Sequence, residues 1–204
     1  MGGSLVLDGL IFAFGQQALI LIVVELSTDD FGLADFRAGQ TLIGPLAALF
    51  PVLNMLLLPR LAQGYAGRRL LPLVSTVAVA TALVYTTVLM LASGIVSQLL
   101  FNEQVRLSLT LICLAGVQVL SYSFVLGRVA VLRARHRMRE ILVSRTLSTV
   151  AGACVGFSYV LLPVPEILGA SLAIQSVLFS AILLIITRTL NSKGAGQVHL
   201  KEGS

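Results

Sequence analysis

LLPLVSTVAVATALVYTTVLMLASGIVSQLLFN, residues 70–102, runs for 33 positions without a charged side chain. As one helix rising 1.5 Å per residue it would reach roughly 50 Å, well beyond a hydrocarbon core of about 30 Å. A membrane crossing therefore ends inside the run. Ser93-Gly94 is the natural stop, and Ile95 to Phe101 is then expected to lie along the interface.

The rest of the chain reads the same way. Of its 204 residues 57% are hydrophobic and 11% charged, with a mean hydropathy of +0.97. Soluble globular domains run about 45–50% apolar and about 25% charged, so an ordinary soluble domain and a disordered chain are both excluded. Trimming the charge-free runs at turn residues predicts six spans, at about 9–24, 38–59, 70–93, 107–127, 141–162 and 167–187. Pro163 and Pro165 separate the last two in a short turn. The expected fold is all-α: a polytopic membrane protein with a six-helix bundle over 1–190 and a flexible cytoplasmic tail at 191–204.

Charge orients these spans. The chain has 14 basic and 9 acidic residues. Six spans place Arg60, Arg68 and Arg69, the segment from Arg128 to Arg145, and the tail residues Arg188, Lys193 and Lys201 on one side. Only Arg37 and Arg106 remain for the other side, where most of the acids gather. A bias of that size over short loops is the positive-inside pattern. It puts both termini in the cytoplasm and accounts for the basic composition without nucleic acid. No Lys or Arg precedes Arg37, so a signal peptide is not expected and the first span is retained. The start Met-Gly-Gly-Ser-Leu reads as an internal piece of a longer protein or a shortened reading frame.

Motifs for chemistry are missing. There is no phosphate-binding G-x-x-x-x-G-K-[ST], no H-E-x-x-H and no G-x-S-x-G. Cys113 and Cys154 lie in apolar stretches and read as small buried hydrophobes. His136 and His199 fall in basic or tail segments. The chain is expected not to be an enzyme and to need no cofactor or metal.

Polar residues within the spans carry the functional reading instead. Arg37, Gln40, Gly44, Ala47, Pro51 and Asn54 fall within about a 100° arc of the second span. That stripe is either the wall of a polar cavity or a helix–helix seam. Gln16 and Gln17 sit near the middle of the first span and Gln118 in the fourth, which completes the cavity candidates. Asp8, at the cytoplasmic edge, is a proton-carrier candidate. Arg133, Arg135, Arg137 and Arg139 suit an anionic headgroup or pyrophosphate, although setting topology explains them equally well. Ser148, Gly152 and Gly156 form a small-x-x-x-small ladder for packing.

The stretch Arg37-Ala38-Gly39-Gln40-Thr41-Leu42-Ile43-Gly44-Pro45-Leu46, followed by Leu57-Leu58-Pro59-Arg60-Leu61-Ala62, resembles the second helix of a repeat in bacterial polysaccharide-type flippases. These belong to the multidrug/oligosaccharidyl-lipid/polysaccharide exporter superfamily. The six-span count and the arginine-rich segment between the fourth and fifth spans extend the similarity. The resemblance implies one of two six-helix bundles that face each other across a V-shaped cavity, this one being the C-terminal half. It implies flipping of a lipid-linked oligosaccharide or polysaccharide precursor by alternating access in the bacterial inner membrane. The partners would be membrane lipids, the lipid-linked glycan, and a second copy or another half-transporter. Two alternatives stay open: a drug or metabolite antiporter of the same superfamily, which would use Asp8, and a non-transporting membrane fragment or scaffold.

Overall fold

The computed structural model describes residues 10–11, 30–62, 70–101, 108–160, 162 and 164–201. Helix α1 spans Asp30–Ala62, α2 Leu70–Leu91, α3 Ser93–Phe101, α4 Leu109–Ala134, α5 Met138–Phe157 and α6 Pro165–Lys201, with a 3-10 turn at Ser158–Val160. Among the described residues the protein is all-helical. Among these residues, four helices are long and apolar enough to cross a membrane, over Pro72–Leu91, Leu109–Ala134, Met138–Phe157 and Glu166–Thr189. The second expected span falls on α1, while the first, apart from Leu10 and Ile11, lies outside the described residues.

Helix α4 is the axis of the bundle. It packs against α6, α2 and α1, and α5 packs chiefly against α6. Three apolar clusters hold these contacts. Phe36, Leu111, Tyr159, Leu168 and Leu172 join α1, α4 and α6 at one end. Ile43, Leu46, Ala82, Ile112, Ala115 and Val119 fill the space between α1, α2 and α4. Val125, Val129, Leu132, Ile141, Phe179 and Leu183 close α4, α5 and α6 toward the other end.

Some polar groups within the bundle are satisfied within their own helix or by a neighbouring one, whereas the buried Thr86 and Tyr159 hydroxyls meet no hydrogen-bond partner among the described residues. Helix α1 continues through Pro45, whose missing N–H leaves the Thr41 carbonyl without its intrahelical donor. One residue along, the Tyr85 hydroxyl of α2 donates to the Leu42 carbonyl at 2.6 Å. Between α2 and α3 the helix is interrupted at Ala92, beside the Ser93-Gly94 pair chosen from the sequence, and the Ser93 hydroxyl donates to the Met90 carbonyl.

The α4–α5 connection is a tight turn. The His136 N–H donates to the Arg133 carbonyl and the Arg137 N–H to the Leu132 carbonyl. That pair of bonds, with His136 at φ 58°, is a Schellman motif with a histidine where glycine is usual. Helix α4 thus runs past Gly127, so Arg128 and Arg133 stand on the helix, and Arg135 to Arg137 form the turn itself.

Candidate functional site

Where α2 begins and α4 and α6 reach their basic ends, the three helices enclose a cavity of about 640 Å³. Among the described residues, four arginines line it: Arg128 and Arg135 from α4 and its cap, Arg137 from the turn, and Arg188 from α6. Arg128 and Arg135 are seven residues apart, hence two turns along one face of α4 and roughly 10 Å from each other. Pro72, Val79, Phe124, Val131 and Leu132 supply an apolar wall. The Arg128 guanidinium lies 5.7 Å from the centre of the Phe124 ring, which holds it by a cation–π contact. Between α4 and α2 the Gly127 N–H donates to the Ser75 hydroxyl at 3.3 Å. Among the described residues, Glu140 offsets part of this charge, 3.8 Å from Arg137. The remaining positive charge faces a low-dielectric wall, an arrangement suited to phosphate oxygens bound by guanidinium forks.

The four headgroup candidates divide here. Arg135 and Arg137 line the cavity; Arg133, half-buried on α4, and Arg139, exposed on α5, do not. Their places are taken by Arg128 and Arg188, which the sequence reading treated only as topology residues. A signal was present, since Arg128 is one heptad before Arg135. That Arg188 would meet them is a tertiary fact with no local signature.

The cavity candidates of the spans separate as well. The Gln40 amide donates to the Gln118 amide oxygen at 3.4 Å, so these two residues bridge α1 and α4. Gln118 is buried, and the bridge is a helix–helix seam. Arg37, Thr41, Gly44 and Ala47 are exposed on α1, and a Cβ at Gly44 would meet no atom within 4 Å. Asp8, Gln16, Gln17 and the side chain of Asn54 lie outside the described residues.

The ladder on α5 packs as its spacing suggests. Ser148, Gly152 and Gly156 are all buried. The Ser171 hydroxyl of α6 donates to the Gly152 carbonyl at 2.7 Å, and the Gln175 amide to the Thr149 hydroxyl at 2.9 Å. Beside this seam lies a residue that sequence reasoning passed over. Arg145, 7% exposed, projects into the core of α4, α5 and α6. Its guanidinium is 4.8 Å from the Phe179 ring centre and 6.0 Å from that of Tyr122. Counting it with the basic segment hid a cation inside the fifth span.

Comparison with protein-family models, with characterised proteins and with solved structures finds no match to the chain.

Proposed function

We propose that this chain is one six-helix half of a membrane transporter that moves a lipid-linked oligosaccharide or polysaccharide precursor across the bilayer by alternating access. The observation that carries this reading is the cavity formed by Arg128, Arg135, Arg137 and Arg188 against an apolar wall. An anionic headgroup at the membrane surface needs both features: cations to hold phosphate, and a dry wall that keeps the attraction from being screened. With the basic side cytoplasmic, the cavity opens toward the leaflet from which the headgroup starts.

A second feature supports the half-transporter part of the proposal. Arg37 and Thr41 are exposed on the same helix as Gly44 and Ala47. Polar groups on a membrane helix belong against protein or water rather than lipid. A partner bundle, either a second copy or another half, would cover this stripe. A two-fold along the membrane normal would then build the V-shaped cavity.

Reconstitution tests the proposal. In proteoliposomes carrying a fluorescent lipid-pyrophosphoryl oligosaccharide, the wild-type protein is expected to speed exchange between leaflets. The Arg128→Gln/Arg188→Gln variant should lose about thirtyfold of that gain, taking about 1 kcal/mol per arginine near a charged headgroup. Exchange no faster than in protein-free vesicles would contradict the proposal.

A further inference from the structure

The arginine cavity does not end at its polar floor. Val79 of α2 and Phe124 of α4 line it and also line a second, largely open surface groove of about 400 Å³ between α2, α4 and α6, farther along these helices from their basic ends. Leu120, Val177, Ala181 and Leu184 form the rest of its apolar surface. The two hydroxyls that could make it polar are already engaged: Ser180 donates to the Ser121 carbonyl and Ser121 to the Val117 carbonyl, each at 2.8 Å. Phe124 stands at the junction, half exposed, with Arg128 over its ring on the cavity side. One continuous path therefore has guanidinium groups at the membrane-surface end and hydrocarbon walls at the inner end.

We infer that this groove holds a hydrocarbon chain of an anionic lipid whose phosphate lies among Arg128, Arg135, Arg137 and Arg188. Charge complementarity selects an anionic occupant, and continuity through Val79 and Phe124 selects an amphiphile over a free phosphate. A free anion would fill only the polar half and leave the groove to neutral lipid. The inference rests on reading the arginine cavity as a headgroup site, and adds to it the groove by which the lipid's chain enters between α2 and α6.

The chain contains no tryptophan, so a single one reports its own surroundings. Val177→Trp places it in the groove; Val150→Trp places it on the exposed face of α5, with both positions roughly 15–20 Å along their helices from the basic end. Each variant is put into phosphatidylcholine nanodiscs doped with chain-brominated phosphatidic acid or, at the same mole fraction, chain-brominated phosphatidylcholine. At Val177→Trp the anionic lipid is expected to quench about tenfold more than the neutral one, and at Val150→Trp the two should quench alike. Adding Arg128→Gln/Arg188→Gln should remove the difference at Val177→Trp, whereas inorganic pyrophosphate should displace the lipid only at high concentration. Leu184→Trp repeats the reading should Val177→Trp fail to fold. Equal quenching by both lipids at the groove positions would overturn the inference, as would an equal preference at Val150→Trp. Flipping without groove enrichment sinks the groove and leaves the transporter reading standing. Groove enrichment without flipping does the reverse.

Discussion

Helix α6 meets α5 and α2 in two different ways. Toward α5 it comes so close that a serine hydroxyl reaches a glycine carbonyl, and a Cβ added at Gly152 would stand 2.9 Å from the Gln175 Cβ and 3.1 Å from the Ser171 carbonyl oxygen. Toward α2 it leaves a cavity with four arginines at its rim. Small residues let backbones approach in the first region, and the interhelical bonds there gain from the apolar surroundings. Large cationic side chains keep the second region open, since like charges resist collapse and their heads seek water or an anion. One helix thus has a face that holds the bundle together and a face that leaves space for a ligand.

The contrast breaks most sharply at Gly152. Gly152→Leu has nowhere to put its side chain and is expected to destabilise the protein by about 3 kcal/mol, read as a shift in the midpoint of SDS-induced unfolding from mild detergent. Unchanged stability would mean that the α5–α6 seam is looser than described. Arg145 tests the inner half of the same seam. Arg145→Ala removes a cation over two rings together with its packed stem and should cost about 2 kcal/mol in the same titration. Arg145→Met keeps the volume and should cost less; equal losses would show that the charge itself is what this core needs.

The open face should respond in the opposite manner. Arg128→Gln and Arg188→Gln are expected to change stability by less than about 0.5 kcal/mol each, because both side chains stand at the rim of a cavity. Affinity for a prenyl pyrophosphate, measured by microscale thermophoresis in neutral-lipid nanodiscs, should fall about thirtyfold in the double variant. The smallest effect belongs to the turn that joins the arginine pair to α5. His136 sits at positive φ, so His136→Gly should raise the unfolding midpoint by the equivalent of about 0.5 kcal/mol. A loss would mean that the imidazole makes a contact worth more than the strain it bears.

These regions were not equally legible from the sequence. The seam was, because Ser148, Gly152 and Gly156 repeat at helical spacing and such a ladder has one ordinary use. The all-helical, membrane-crossing character was legible from the charge-free runs alone, for four helices of the structure. The cavity was legible only in part. Arg135 and Arg137 stood out as members of a dense run, yet Arg133 lies roughly 200° around α4 from Arg135, and Arg139 lies on α5 beyond the Schellman turn at His136. Arg188 joins through the packing of α6 on α4, which no local pattern reports. Gln40 and Gln118 were chosen separately as cavity walls and meet each other instead, since two amides in an apolar bundle satisfy one another at low cost. Arg145 was missed because a charge near a span boundary is easily counted with the loop.

The central claim is that the arginine cavity binds the anionic head of a lipid. Native mass spectrometry of the protein released from phosphatidylcholine nanodiscs doped with a prenyl pyrophosphate tests it most directly. The account predicts a retained prenyl-pyrophosphate adduct on the wild-type chain that is lost when Arg128 and Arg188 are both replaced by Gln. Adducts of the same abundance on both proteins would contradict it.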